Sequence, residues 1–340
     1  MRAAIWEGPL DMVVKDVPDP EIGPDEVLVK VKDVGICGSD LFHVTNKNER
    51  VRPPMILGHE ISGTVHEIGS NVDTANLSVG TRVGLNPLVT CGTCRPCRTG
   101  YMNLCEDIKL LGHQVPGGFA EYLKVQPERI IPMPETVAFD DAYLLEPLAV
   151  VVHAYSHINV QPGDQIVVLG GGPIGLLCAQ MARIQGATRV VVTDVTDFRL
   201  GIIEELGFIA VDGRADDVND RIKAQFGGEG ADIVVEAVGI HQTALQMAYL
   251  ARPNGQVLVV GMHKGHPPVD LRYLSFGEQY MRSVRLYKDD DFVRSARLLG
   301  AGMVDTSVFG RIRLPLEEIN KGFEIMRSAD QTVKVVINLS

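Results

Sequence analysis

Residues 166–184 constrain the fold more than any other stretch. The chain reads Ile-Val-Val-Leu, then Gly170-Gly171-Gly172-Pro173-Ile174-Gly175, then a helical pattern running from Ile174 to Ile184. A short unbroken apolar run followed by glycines and a helix is the mark of a buried strand that turns sharply into a helix. Further apolar runs follow at Arg189–Thr193, Asp232–Glu236 and Gln256–Val260, with helical stretches at Phe198–Leu206 and His241–Leu250. Strands that lack alternation and are separated by helices predict an α/β fold, a doubly wound parallel sheet covered on both faces.

The glycine run fits G-x-G-x-x-G. In that pattern Gly170 permits the tight turn, Gly172 lets backbone N–H groups approach a pyrophosphate, and Gly175 lets helix pack closely on strand. Pro173 and Ile174 open the helix, whose N-terminus carries about half a positive charge toward the phosphates. Asp194 ends the next strand, 19 residues after Gly175. An acid there accepts hydrogen bonds from the ribose hydroxyls of an adenosine and repels a 2′-phosphate. The following Val195-Thr196 brings no cation, so NAD is expected over NADP, with Arg199 read as a surface or ribose-edge residue. Taken alone, the same residues also fit a plain β–α turn and a plain strand-end acid.

The first third of the chain has a different texture. Short β-patterned runs, Val27–Val31, Ile61–Ile68 and Arg82–Leu85, are broken by turn clusters such as Asp19-Pro20 and Pro132-Met133-Pro134, which predicts a compact, largely antiparallel β-rich domain. At 340 residues the chain exceeds what one core supports. Two domains are expected: residues 1–150, completed by about 285–340, and residues 151–284. Helices around Asp291–Leu299 and Leu316–Met326 and a strand at Val333–Ile337 belong to the completing segment. The net charge of −11 argues against a nucleic-acid partner. The N-terminal residues have no apolar stretch of signal-peptide length, and the greasiest region, Ile166 to Ala182, is glycine-broken and short for a membrane span. A cytoplasmic protein without a membrane partner is expected.

Four of the six cysteines, Cys91, Cys94, Cys97 and Cys105, fall within 15 residues. In an intracellular chain such clustering reads as metal binding before disulfides. Four thiolates close a tetrahedron around Zn²⁺ and leave no open position, which makes the site structural; nearby Arg95 and Arg98 offset its charge. An iron–sulfur cluster also takes four cysteines, and spacing does not separate the two. Cys178, on the apolar helix after the glycine loop, reads as core. Cys37, His59 and Glu146 are dispersed, and singly each has an ordinary structural reading; neither composition nor spacing joins them.

The motifs around them do. Gly58-His59-Glu60, Gly63, Val65 and Ile68-Gly69 match GHE-x2-G-x-V-x2-[IV]-G. With Gly35-Ile36-Cys37-Gly38-Ser39-Asp40, the four-cysteine lobe, Gly117–Tyr122 and the dinucleotide loop, the chain resembles the zinc-dependent medium-chain alcohol dehydrogenase family over almost its full length. Glu146-Pro147-Leu148 resembles the polyol branch, the sorbitol, threonine and butanediol dehydrogenases; other alcohol dehydrogenases have cysteine there. The resemblance implies a GroES-like catalytic domain beside the Rossmann domain. It also implies two zinc ions per chain, the catalytic one held by Cys37 and His59 with Glu60 and Glu146 as candidate carboxylate ligands, neither ranked. Asp40 would orient His59, and Ser39 would accept the substrate's proton.

Polyol relatives often have a histidine five residues after the cysteine; here that position is Phe42, and His43 follows, which leaves the outer proton relay open. Val238 and Gly261, at later strand ends, would contact the nicotinamide half. His66, His113, His153, His157, His241, His263 and His266 show no ligand spacing. The expected activity is hydride transfer to NAD from a secondary alcohol of a polyol, sugar alcohol or sugar acid, by a homodimer or homotetramer. The alternatives are a threonine-like amino alcohol as substrate, or an NAD-binding regulator with structural zinc only.

Overall fold

The computed structural model describes residues 1–45, 50–75 and 77–339. These form two compact units: Met1–Ala149 with Lys288–Gly302 and the chain from Thr306, and Val150–Tyr287 with Met303–Asp305.

The first unit is β-rich. Its main sheet has seven strands, six of them in the order Ile130–Pro132, Arg82–Leu85, Glu60–Ile68, Val27–Gly35, Val335–Asn338 and Ile312–Pro315, with Tyr122–Val125 also pairing with Val27–Gly35. Every pairing is antiparallel except that between Ile312–Pro315 and Val335–Asn338. Val27, Val29, Val31, Val34, Ile61, Val65, Val83, Leu85 and Phe119 are buried and make one continuous core with Trp6 and Leu57. A three-stranded sheet of Asp11–Asp16, Arg2–Gly8 and Met55–Ile56 flanks it.

The second unit is the doubly wound sheet. Its six parallel strands lie in the order Ile209–Asp212, Arg189–Asp194, Gln165–Leu169, Ala231–Glu236, Ala251–Val259 and Tyr280–Ser283. The first of these in sequence lies inside the sheet, and the chain winds outward from it in both directions. Ile166, Val167, Val168 and Leu169 are fully buried, as a central strand covered on both faces requires. The sequence pattern leaves out both edge strands for a physical reason. All four residues of Tyr280–Ser283 are exposed, and Ile209–Asp212 buries only Val211 fully, so neither carries an apolar run. Cys178 is core, as expected. Among the described residues no helix is long and apolar enough to cross a membrane.

The turn from Gln165–Leu169 into the helix Pro173–Ile184 uses its glycines differently. Gly170 has φ of +103°, a left-handed conformation that favours glycine. Gly172 is the helix N-cap and Pro173 follows at the first helical position. Gly175 lies so close to the turn that a Cβ there would fall 1.8 Å from the Gly170 carbonyl oxygen. Gly201, in the helix Asp197–Glu205, meets nothing within 4 Å. Gly175→Ala is therefore expected to destabilise the protein by roughly 1–3 kcal/mol, a few degrees in a thermal melt followed by circular dichroism. Gly201→Ala should be neutral or stabilising by up to about 1 kcal/mol in the same melt.

Candidate metal centre and dinucleotide cradle

Strand register builds the metal centre. Val27–Gly35 and Glu60–Ile68 pair antiparallel with Gly35 opposite Glu60, so the residues just past one strand end and just before the other strand start are neighbours. These are Cys37 and His59. Cys37 leads into the short helix Gly38–Thr45, and its backbone N–H donates to Asp40 Oδ2 at 3.0 Å. His59 follows Gly58, whose φ of +90° turns the chain into the strand. One ligand atom each from Cys37, His59 and Glu60 lies within 4.8 Å of the others.

The histidine is set for a metal on one nitrogen. His59 Nδ1 is 3.4 Å from Asp40 Oδ1, and Nε2 is 3.5 Å from Ser39 Oγ. With Nδ1 facing the Asp40 carboxylate, Nε2 is the nitrogen left available to a metal. Burial works against the charged form of Asp40, but His59 outweighs it and holds the carboxyl below its usual range. Burial likewise opposes a charge on His59, yet Asp40 and then Cys37 hold its imidazole well above the ordinary histidine value. The surroundings of His59 thus favour positive charge. Asp40 Oδ1, His59 Nδ1 and Glu60 Oε2 are buried and make no hydrogen bond within the chain. Asp40 Oδ1 and His59 Nδ1 face each other, whereas Glu60 Oε2 is left over, and a sulfur, an imidazole Nε2 and that carboxylate oxygen fit a Zn²⁺ ion.

Sequence reasoning missed three residues here. Lys334 and Glu60 are 2% and 1% exposed, and Lys334 Nζ donates to Glu60 Oε1 at 2.5 Å and to the Ile36 carbonyl at 3.3 Å. Burial opposes the Lys334 charge, but Glu60 outweighs it and raises the ammonium's pKa, with Cys37 and Glu146 adding to the effect. Glu146 is itself buried, in the first turn of the helix Leu145–Tyr155. Among the described residues the compact ligand clusters include Glu60 and not Glu146.

The other two are His113, which showed no ligand spacing, and His43. Ligand atoms of Asp40, His59 and His113 lie within 4.8 Å of one another, and the His113 ring packs edge-on against His43 and His59 with centroids 4.5 and 4.9 Å away. Burial, reinforced by His59, pushes the His113 imidazole down to about 3, so it stays neutral. No sequence spacing signals this cluster, because it depends on a loop folding back over the helix Gly38–Thr45.

The four-cysteine lobe closes on itself. All six cysteines are free thiols, and the sulfurs of Cys91, Cys94, Cys97 and Cys105 lie within 4.8 Å of one another. Cys105 Sγ is 3.6 Å from Cys91 Sγ and 3.9 Å from Cys94 Sγ. Sulfurs at about 2.3 Å from a single tetrahedral ion stand about 3.8 Å apart, so the lobe fits one zinc; an iron–sulfur cluster, with several irons and sulfides between its cysteines, needs a wider cage. Backbone N–H groups of Cys94 and Thr93 lower the Cys91 thiol to about 6, while burial and then Cys94 push the Cys97 thiol up to about 12, so without a metal the lobe holds Cys91 toward thiolate and Cys97 as thiol. A separate apolar cavity of about 490 Å³, lined by Val17, Pro18, Ile56, Val89, Leu111 and Leu123, includes none of these ligands.

In the second unit the glycine loop forms a cradle. Gly171 N–H donates to Asp194 Oδ2 at 2.9 Å, while Asp194 Oδ1 accepts from the backbone N–H groups of Val195 and Thr196 at 2.8 and 3.0 Å and from the Thr196 hydroxyl at 3.1 Å. Asp194 is therefore a staple between loops as well as a candidate ribose acceptor. A Cβ on Gly172 would meet only Arg199 Nη1, at 3.9 Å, so the helix N-terminus is open to a phosphate. Arg199 Nη1 is 3.6 Å from Asp194 Oδ2. The sequence marks Arg199 as a surface or ribose-edge residue and not as a cation for Asp194, yet the helix Asp197–Glu205 brings it within reach. Val238 Cγ2 lies 2.6 Å from where a Gly170 Cβ would be, and Glu236 Oε2 2.4 Å from that of Gly261, so both strand-end positions adjoin the cradle.

Known families and solved structures resemble both units. A family profile described as alcohol dehydrogenase GroES-like domain matches residues 23–135, and one described as zinc-binding dehydrogenase matches residues 173–301. Sorbitol dehydrogenase of Bacillus subtilis (strain 168) is 32% identical over 99% of this chain and 97% of its own. L-galactonate-5-dehydrogenase of Escherichia coli (strain K12) is 33% identical over 95% and 94%, and L-threonine 3-dehydrogenase of Bacillus licheniformis is 34% identical over 94% and 93%. Among solved structures, a zinc-binding dehydrogenase from Sinorhizobium meliloti 1021 bound to NADP superposes with a TM-score of 0.91 at 30% identity, covering 99% of this chain and 98% of that one. The chain belongs to the zinc-dependent medium-chain alcohol dehydrogenase family, and it is a dehydrogenase.

The buried pair yields a stability prediction. Lys334→Met leaves the Glu60 carboxylate buried and uncompensated, which should cost about 3–5 kcal/mol. The double variant Lys334→Met/Glu60→Gln should recover most of that loss. Urea unfolding read from the single tryptophan, Trp6 in the core of the same unit, measures both.

Proposed function

We propose that this chain oxidises a secondary alcohol of a polyol, sugar alcohol or sugar acid with NAD as acceptor. One zinc is held by Cys37 and His59 with Glu60 or Glu146, and a second by Cys91, Cys94, Cys97 and Cys105. Residues 1–150, completed by about 285–340, carry the reacting site, and residues 151–284 bind NAD through Gly170, Gly172, Pro173, Ile174, Gly175, Asp194, Arg199, Val238 and Gly261. The observation that carries the reading is the convergence of Cys37, His59 and Glu60 within 4.8 Å.

Bound there, zinc supplies Lewis-acid chemistry that lowers the pKa of a hydroxyl group, and the nicotinamide supplies a hydride acceptor. Ser39 Oγ, beside His59 Nε2, takes the hydroxyl proton and passes it outward. Asp40 keeps His59 in the tautomer that leaves Nε2 free to ligate. Lys334 tethers one Glu60 oxygen and leaves the other, Oε2, without a hydrogen bond. The Gly170–Gly175 loop and Asp194 would hold a nicotinamide cofactor to accept the hydride lost from the carbinol carbon, so that a carbonyl compound and reduced cofactor would be the products.

Substrate class is supported by the sorbitol and L-galactonate dehydrogenase relatives. The L-threonine dehydrogenase relative supports an amino alcohol as the second reading. For the cofactor, the Asp194 carboxylate at the ribose position favours NAD, against the Arg199 cation beside it and the NADP-bound neighbour. Clustered cysteines read as metal ligands rather than disulfide partners suit a reducing compartment, the cytoplasm. Self-association is favoured by the second unit's exposed edge strand Tyr280–Ser283, with Tyr280 57% and Phe276 of the preceding helix 84% exposed. An open edge flanked by apolar side chains is a template for a second copy.

The tests are direct. Absorbance of NADH across a panel of polyols, sugar acids and L-threonine should show kcat/KM about tenfold or more above threonine for a polyol or sugar acid; the reverse order establishes the amino-alcohol reading. NADP+ matching NAD+ would overturn the cofactor choice. Elemental analysis should give two zinc per chain, and one would point to a regulator. Cys37→Ala should remove turnover and one zinc, and Asp40→Asn should cost roughly 10–100-fold in activity or zinc affinity. In light scattering, Met281→Lys on the edge strand should lower the molar mass toward that of one chain.

A further inference from the structure

Glu236 ends a central strand of the second unit, 0% exposed and paired with no lysine or arginine among the described residues. Its Oε1 accepts from the backbone N–H groups of Val238 and Gly239 at 2.9 and 2.7 Å and from the Thr243 hydroxyl at 2.7 Å. Its backbone carbonyl accepts from Val260 and Gly261 N–H, both at 2.9 Å. One residue therefore ties together the loops that follow Ala231–Glu236 and Ala251–Val259. The remaining oxygen, Oε2, faces His263 Nε2 at 3.1 Å.

That contact fixes the imidazole. A carboxylate beside Nε2 assigns the proton there, so Nδ1 presents a bare lone pair. His263 Nδ1 is buried and has no hydrogen-bond partner in the chain. A buried acceptor left unmet is costly enough that native structures rarely keep one without reason. The loops also adjoin the cradle: Val238 fills the space beside Gly170, and the Met262 carbonyl lies 2.6 Å from where a Gly239 Cβ would be. Their outer face is apolar, with Val238 41% and Met262 61% exposed.

A dinucleotide crosses the carboxyl ends of a doubly wound sheet with its pyrophosphate at the glycine loop. With the adenosine half toward Asp194, the nicotinamide half falls on the other side of Gln165–Leu169, where Glu236 and His263 stand. The nicotinamide carboxamide ends in an N–H donor. We propose that His263 Nδ1 accepts a hydrogen bond from that carboxamide, with Glu236 holding the tautomer that makes it an acceptor. The inference rests on the dinucleotide reading above and adds a contact particular to this side chain.

Two substitutions separate contact from scaffold. In His263→Gln the side-chain amide still donates to Glu236 but offers no acceptor at the Nδ1 position, whereas His263→Asn keeps an acceptor near that position and loses the tie. Calorimetric titration of the zinc-loaded protein with NAD+ and with ADP-ribose, which lacks the nicotinamide ring, reads the difference. The expected result is that His263→Gln weakens NAD+ about tenfold and leaves ADP-ribose unchanged, with His263→Asn closer to wild type for NAD+. Unchanged NAD+ affinity in His263→Gln, or equal weakening of both ligands, overturns the proposal. Failure of the wild type to bind ADP-ribose at all overturns the dinucleotide reading itself, a distinct outcome.

Discussion

The pairing of Gly35 with Glu60 across two antiparallel strands is the constraint on which the metal centre depends. It is a backbone contact with no chemistry of its own. It nevertheless decides that a thiol leaving one strand and an imidazole entering the other arrive side by side. Slipping the pairing by one residue would turn the side chains of one strand to the opposite face of the sheet. The valines and isoleucines of these strands, buried in a single core, hold the register. Close packing of apolar residues is thus what positions the donor set.

Charge is managed in layers around that point. Asp40 sits behind His59, and Lys334 behind Glu60. These two candidate ligands therefore each have an oppositely charged neighbour, which fixes their orientation and limits how far they move. Carboxylates buried without such partners would protonate instead of ligating. His113 and His43 complete the enclosure as aromatic walls, and the neutral state of His113 adds no positive charge to compete with a cation.

Much of this was legible in the sequence where the signal is local. The parallel sheet announced itself because central strands, buried on both faces, are apolar at every position; the exposed edge strand Tyr280–Ser283 has no such run and left no trace. The cysteine lobe was legible because its four ligands lie within one loop. The tetrahedral spacing of their sulfurs, which favours a single ion over a cluster, needed coordinates. Cys37, His59 and Glu60 were reached through family motifs and not by physical pattern. Lys334 was invisible because its partner is 274 residues away, and a lysine in a sequence reads as surface. Arg199 was named as a surface or ribose-edge residue, but sequence does not show that one turn of helix brings its guanidinium to 3.6 Å from Asp194.

The strand Val335–Asn338 lies between Val27–Gly35 and Ile312–Pro315 in the main sheet of the first unit. A polypeptide leaves the ribosome in order, so the strand that delivers Lys334 emerges some three hundred residues after the one it must join. Until then Asp33–Gly35 has an open side, and the whole doubly wound unit has already been synthesised. Completion of that sheet is thereby postponed until after the doubly wound unit has emerged, and Cys37, His59 and Glu60 stand in an unfinished sheet until then.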